Sequence, residues 1–530
     1  MDQLETLIDN GEKENVEFKE FLKEDVHLKD DRRQGLACQM KHRLIMGHGT
    51  AIYILGVTDG GSLNGISRPT LEESLSVLNC IAIEAGAKVA DCKEYTVDGG
   101  YVALATIKSQ AAAKEHILVG TAGHVDHGKS TLIASLVTGM QDDGSGKTRI
   151  FMDVLPHEIE RGLSADLSYG VYGFRSGKTI RLKNPLSKKE KAGVVESAEK
   201  LISFVDTVGH EPWLRTTIRG IVGQKLDYGL IVVAADDGVT HVTREHLGIL
   251  LAMDLPTIVA ITKIDRANKE RVAEVERHIS DVLKTVGRIP LRIRSKSDLH
   301  ILSNKLNKLS EGIIVPVIRT SAVTKEGFDI LDQLLFLLPQ RNAESAKSFQ
   351  MYIDKAYQVS GVGTVVSGSI KQGEVKVGDQ LQLGPTSDGE VISVKAQSIE
   401  MHYYRIDKAS AGDIVGIALK GISPKDIRRG MVLCADELKA VREFEAEILI
   451  LNHPTCIKCG YEPVVHMETI AEAATFKQLD RDYMMAGQTG LVRMRFKFCP
   501  YHVHEGQKFI FREGKSKGIG RVVRVFENYI

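Results

Sequence analysis

Hydrophobic and polar positions change their period several times along the chain, and each change marks an element. Ala51-Ile52-Tyr53-Ile54-Leu55-Gly56-Val57 is an apolar run closed by Thr58-Asp59-Gly60-Gly61, which predicts a buried strand ending in a turn. Thr70 and Glu73 then form a capping-box pattern ahead of Leu71, Leu75, Leu78 and Ala82, a stripe at helical spacing that stops before Gly86. Residues 1–114 therefore read as a small α/β domain, with the stretch 108–115, poor in bulky apolar residues, as a linker. From residue 116 to 339, strand-like apolar runs at 117–120, 201–205, 229–235, 257–262 and 313–320 alternate with helical patterns. That alternation predicts an α/β domain over 115–345, built on a doubly wound, mostly parallel sheet that binds its ligand at the carboxyl ends of the strands. Beyond the polar segment 340–348 the pattern turns to short β runs with Gly-rich turns. A second polar break at 435–443 divides this half into two pieces of β-barrel size, 346–437 and 438–530.

Composition narrows the class. The 530 residues carry 69 Lys plus Arg against 69 Asp plus Glu, with 43% apolar residues, so the chain is neither disordered nor a uniformly basic nucleic-acid wrap. The start is acidic and lacks the basic and apolar regions of a signal peptide. The longest apolar stretch, 247–261, is broken by Asp254 and Pro256, so no membrane span is expected. Seven scattered cysteines fit a reducing compartment, and a cytoplasmic monomer is expected.

The chemistry concentrates at strand ends. Gly123-His124-Val125-Asp126-His127-Gly128-Lys129-Ser130 fits the G-x-x-x-x-G-K-[ST] pattern, follows a predicted strand and leads through Thr131 into an apolar helix. Such a loop turns backbone N–H groups toward phosphates, Lys129 supplies positive charge, and the Ser130 hydroxyl is a ligand for Mg²⁺. Two partial copies, Gly146-Lys147-Thr148 and Gly177-Lys178-Thr179, lack the upstream glycine and are not read as further nucleotide sites. The run 201–205 delivers Asp206-Thr207-Val208-Gly209-His210, in which Asp206 is placed to hold Mg²⁺ through water and the Gly209 N–H to face a γ-phosphate. The run 257–262 delivers Thr262-Lys263-Ile264-Asp265, whose carboxylate accepts two hydrogen bonds from guanine and none from adenine. GTP and GDP are therefore expected over ATP. The last run ends in Thr320-Ser321-Ala322, whose backbone N–H groups are expected near the guanine O6.

The segments GHVDHGKST, DTVGHEPW, TKID and TSA resemble the G domain of translational GTPases of the elongation factor Tu and elongation factor 1-alpha class. Residues 204–266, with ENVEFKEFL and MKHRL nearer the start, GVGTVVSG at 361–368, and EFEAEILILNHPT and FIFREGKSKGIG near the end, are most similar to the GTP-binding protein 1 and 2 branch. The resemblance implies a P-loop GTPase domain preceded by the small domain and followed by two β-barrels. It places Ser164, within Arg161-Gly162-Leu163-Ser164, as the switch hydroxyl on Mg²⁺, and His210 as the catalytic residue that positions water, screened by Val125 and Leu163. Val208 and Thr262 stand where the class has Pro and Asn. The implied partners are aminoacyl-tRNA and the ribosome; a ribosome-rescue factor and a GTP-switched RNA-decay adaptor are the alternatives.

In the barrels, Glu400 matches a position that contacts the terminal adenosine of tRNA, and is otherwise a solvated carboxylate. Arg512, Lys515, Lys517 and Arg521 form a basic turn suited either to tRNA phosphates or to solvent. Cys456, Cys459, Cys499 and His502 make a C-x₂-C plus C-x₂-H set suited to Zn²⁺, or are ordinary thiols.

Overall fold

A computed structural model describes residues 2–9, 11–12, 15–46, 50–58, 60–109, 114–152, 167–209, 214–303, 305–341, 347–514 and 516–526. The chain divides into two units, 1–114 and 115–530. In the first, β1 (Val16–Lys19), β2 (Thr50–Leu55), β3 (Ala87–Val97) and β4 (Gly100–Ser109) form a sheet in the order β1-β2-β4-β3. The helix following β2 runs Arg68–Glu84 and begins earlier than the capping-box pattern implies. Ser67 is its N-cap, with Oγ accepting from the Thr70 N–H, because Pro69 fits the first turn, where its missing N–H is harmless. Glu73 accepts from the Glu24 N–H instead of closing a box. The stripe itself faces the core, with Leu71, Leu78 and Ala82 buried. β4 extends to Ser109, so the expected linker starts inside a strand.

The second unit opens with an eight-stranded sheet of β5 (Glu115–Ala122), β6 (Ser168–Arg175), β7 (Lys178–Ile180), β8 (Lys200–Asp206), β9 (Tyr228–Ala234), β10 (Thr257–Thr262), β11 (Ile289–Ile293) and β12 (Ile314–Arg319), in the order β11-β12-β10-β9-β5-β8-β6-β7. The five anticipated runs are β5, β8, β9, β10 and β12. β6 and β7 add an antiparallel hairpin, and the partial motif Gly177-Lys178-Thr179 runs from its turn into β7. β11 is an edge strand with mixed exposure, so it carries no continuous apolar signal. Side chains alternate across β5 as strand geometry requires. Ile117 and Val119 pack against Leu132, Ile133 and Leu136 of the helix Lys129–Thr138. Leu118 and Ala122 pack on the opposite face with the helices Leu214–Val222 and His241–Ala252. The chain leaves β5 on the β8 side and later crosses to β9 on its other side, a reversal of strand order that opens a crevice at its carboxyl end.

Two barrels complete the unit. Strands Gln350–Tyr352, Val432–Cys434, Gln380–Gly384, Ile392–Met401, Ile414–Lys420 and Gly363–Gln372 pair in sequence, and the last returns to the first. The second barrel closes from Glu443–Asn452 through Thr489–Phe496, Ile470–Leu479, Val464–Met467 and Lys508–Glu513 to Ser516–Phe526. Closure leaves no long unpaired edge. The barrels are fixed to the sheet domain by polar contacts: Arg219 donates twice to the Asp354 carboxylate, at 2.9 and 2.8 Å, and Lys517 pairs with Glu245 at 2.8 Å. Among the described residues no helix is long and apolar enough to cross a membrane.

Candidate functional site

Three strand ends meet in the crevice beside β5. The loop from Gly123 to Gly128 needs glycine at both ends, with φ of 146° and 83°. At Gly123 a Cβ would also stand 2.3 Å from the Val232 carbonyl oxygen, so the loop lies directly on β9. Lys129 is buried, and its ammonium donates to the carbonyls of Gly123 (3.2 Å) and His124 (2.9 Å), which holds the charge across the mouth of the loop. His127 turns its ring away, with Nε2 donating to Asp237 at 2.8 Å; it serves the site through its carbonyl, which accepts the Thr262 hydroxyl at 2.6 Å. Thr262, standing where the class has Asn, therefore still ties the end of β10 to the phosphate loop.

At the end of β8, Asp206 is buried and accepts from Thr121 Oγ1 at 2.7 Å. A Cβ on Gly209 would fall 2.2 Å from Lys129 Nζ and 2.8 Å from the His124 carbonyl, so the segment after β8 presses directly on the loop. His210, the expected catalytic residue, and Arg161, Leu163 and Ser164 of the first switch lie outside the described residues.

At the end of β10, Lys263 has a positive φ of 55°, and Asp265 accepts the Ser321 hydroxyl at 2.6 Å. This corrects the role expected of Ser321. Its backbone N–H closes the following turn by donating to the Glu326 carbonyl at 3.0 Å, so its contribution is to aim Asp265 rather than to reach a base oxygen. Ala322 remains at the cleft wall. Val125, Asp126, Gly128, Lys129, Ser130 and Thr131 on one side, and Gly209, Thr262, Lys263 and Asp265 on the other, enclose about 390 Å³. A buried ammonium, a Cβ-free cradle and the hard oxygens of Ser130 and Asp206 fit a nucleotide phosphate with a divalent cation.

Two parts of this site have no counterpart in the motif reading. His246, from the helix His241–Ala252, accepts the Gly123 N–H through Nδ1 at 2.9 Å. Burial, with the nearby charges of Lys129, His124 and His241, pushes its pKa down to about 3, which keeps that nitrogen an acceptor. The second part is the loop 142–149, which folds back to wall the cleft with Asp142, Gly144, Ser145, Gly146 and Arg149. Its only sequence signal is the acid- and glycine-rich punctuation that includes Gly146-Lys147-Thr148, a partial motif that forms the rim of the first site instead of a second one.

The zinc expectation is not met. Among the described residues no group of three or more His, Cys, Asp or Glu side chains converges to hold a metal. Cys456 and Cys459 follow the strand Glu443–Asn452, whereas Cys499 and His502 follow Thr489–Phe496, and His502 turns Nδ1 to the Lys439 carbonyl at 3.4 Å. Cys456, Cys459 and Cys499 are free thiols. Of the candidate tRNA contacts, Glu400 is exposed on its barrel, Arg512 lies opposite Lys517 in a hairpin, and Lys515 is outside the described residues. Lys517 is committed to Glu245 of the sheet domain, so the turn is not wholly presented to RNA.

Comparison with known proteins agrees with this architecture. Residues 114–340 match the elongation factor Tu GTP binding domain, 363–434 match elongation factor Tu domain 2, and 437–526 match the elongation factor Tu C-terminal domain. GTP-binding protein 1 of Xenopus laevis is 32% identical over 94% of this chain and 77% of its own length. GTP-binding protein 2 of Homo sapiens is 32% identical over 96% of this chain and 87% of its own. Elongation factor 1-alpha of Methanopyrus kandleri is 31% identical, over 73% of this chain and 90% of its own. In three dimensions the fold is similar to a bacterial selenocysteine-specific elongation factor, with a TM-score of 0.57 at 24% identity, over 77% of this chain and 58% of that one. It is also similar to translation elongation factor SelB of Methanococcus maripaludis, with a TM-score of 0.53 at 22% identity, over 78% of this chain and 80% of that one.

Proposed function

The chain belongs to the elongation factor Tu class of translational GTPases and hydrolyses GTP, and from that membership we propose that it carries aminoacyl-tRNA to the ribosome in the cytoplasm. In this reading Lys129 neutralises charge on the β- and γ-phosphates, Asp265 reads guanine, and His210 orients the attacking water in line. Mg²⁺, held by Ser130 and Ser164 with Asp206 behind, supplies further charge neutralisation when bound. Barrier lowering comes from positioning and charge, so hydrolysis is slow until the ribosome completes the arrangement around His210.

The observation that carries the proposal is the bidentate pair between Arg219 and Asp354. Arg219 lies on the helix Leu214–Val222, nine residues beyond His210, and Asp354 belongs to the first barrel. A change in the γ-phosphate segment therefore has a short path to the barrel that would hold tRNA. Equilibrium binding of charged and uncharged tRNA with a GTP analogue and with GDP tests it. A preference for charged tRNA in the GTP state, mirrored by tighter GTP binding when tRNA is present, is expected by linkage. Identical affinity in both states rejects the carrier mechanism. A second reading, a GTP-switched rescue factor or RNA-decay adaptor, draws support from the N-terminal unit. That unit lies ahead of all three elongation factor Tu segments, yet the alignments with GTP-binding proteins 1 and 2 run through it.

A further inference from the structure

The chain that leaves the helix Lys129–Thr138 does not depart from the nucleotide cleft. It folds back onto the base-recognition side. The Asp142 N–H donates to the Ala322 carbonyl at 3.0 Å, Gln141 donates to the Val323 carbonyl, and the Arg266 guanidinium donates to the Gly144 carbonyl. Asp142 then organises the turn from inside. Its carboxylate accepts from the N–H groups of Gly144 (2.8 Å), Gly146 (3.0 Å) and Thr148 (2.9 Å) and from the Thr148 hydroxyl (2.8 Å). Burial alone would raise its pKa, but these donors outweigh it and hold the group below the usual carboxylate range. Gly144 and Gly146 take φ of 88° and 83°, so the turn is a built feature and not slack chain.

The course of this turn fixes which part of a nucleotide it meets. At one end Gly144 lies beside Arg266 and Val323, which follow the guanine-reading Asp265 and Ala322. At the other, a Cβ on Gly146 would stand 3.8 Å from Thr131 Oγ1 and 3.3 Å from Arg149 Cδ. Thr131 is in the first turn of the phosphate-loop helix, next to Ser130, whereas the γ side of the cleft is closed by Val208 and Gly209. The turn thus spans the nucleotide from the base edge to the inner phosphates. Its own carboxylate is consumed within the turn, and Arg149 lines the cleft.

We infer that residues 142–149 form a clasp over the ribose, and that Arg149 is a ligand of the phosphates that GDP and GTP share. This rests on the guanine-nucleotide reading of the cleft and extends it to a residue no motif names. A cation there adds affinity for both nucleotides and leaves the balance between them unchanged, unlike a cation acting on the γ-phosphate. Charge-assisted contacts of this kind change affinity by about 10- to 100-fold.

The test is titration of the full chain and its Arg149→Ala and Arg149→Lys variants with GDP and with a non-hydrolysable GTP analogue, alongside thermal unfolding without nucleotide. R149A is expected to weaken both ligands by the same factor, about 10-fold or more, with the parent unfolding temperature, and R149K to recover most of the loss. Unchanged affinity in R149A, a loss confined to the GTP analogue, or an R149K protein as weak as R149A each overturns the inference. If R149A fails to fold, R149K decides alone: affinity near the parent supports the charge role, and a large loss rejects it. The parent titration separates the two levels, since a parent that binds neither nucleotide removes the guanine reading itself, while a parent that binds beside an unaffected R149A removes only the clasp.

Discussion

His246→Asn is the perturbation whose consequence follows most directly from the geometry. The wild-type imidazole is buried and accepts the Gly123 N–H at 2.9 Å, so a proton on Nδ1 would eliminate the bond and place a cation near Lys129. Its pKa is about 3 in the folded protein, against about 6.5 for an unperturbed histidine. Between these values the unfolded chain binds the proton that the folded chain refuses. Stability is therefore fully present above pH 6.5 and declines as pH falls toward 3, by about 1.4 kcal/mol per pH unit for this one group. Asparagine keeps an acceptor oxygen but has no such proton, and near neutral pH the smaller side chain costs about 1 to 3 kcal/mol. Lowering pH from 7 to 4.5 should shift the difference by about 3 kcal/mol in favour of the variant, erasing or reversing that deficit, because other titrating groups act equally on both proteins. Trp213, the one tryptophan in the sequence, gives a fluorescence signal for urea unfolding. A variant that stays less stable than the parent by the same amount at pH 7 and pH 4.5 would refute the reasoning.

Asp265→Asn should weaken GTP binding by about 10- to 100-fold and favour a xanthosine nucleotide, because Ser321 can still donate to the amide oxygen while the amide N–H₂ faces the base. Competition titration with both nucleotides measures it, and an unaltered preference for guanine would sink the assignment. Gly209→Ala places a methyl group 2.2 Å from Lys129 Nζ and 2.8 Å from the His124 backbone, so nucleotide affinity should fall by about 10-fold or more while the rest of the sheet domain stays folded. Parent-like affinity measured by equilibrium dialysis would show that the segment can move away at no cost.

Much of the site was legible because its parts are local in sequence. A phosphate loop needs glycines at fixed spacing, then a lysine and a hydroxyl at the start of a helix, and β5 with the helix Lys129–Thr138 supplies that context. The remaining strand ends were legible because a doubly wound sheet brings its carboxyl ends together whatever lies between them. The capping-box reading of Thr70 and Glu73 failed because Ser67 and Pro69 make an equally good helix start a few residues earlier, and a pattern cannot rank the two. The zinc reading failed because residue spacing carries no information on whether side chains from two separate loops converge.

The sequence by itself determined the fold class, the phosphate loop and the placing of Asp265 at a strand end, since these depend on short-range periodicity and on residue chemistry at fixed spacing. Tertiary structure alone decided the rest. It set His246 against Gly123 across 123 residues, gave Thr262 the His127 carbonyl, turned Ser321 toward Asp265, and folded Asp142 and Arg149 over the cleft. It also committed Lys517 to Glu245 rather than leaving it wholly for RNA. In each case the partner is distant in the chain, and a buried polar group must find whichever complementary group the packing places beside it, which no local pattern records.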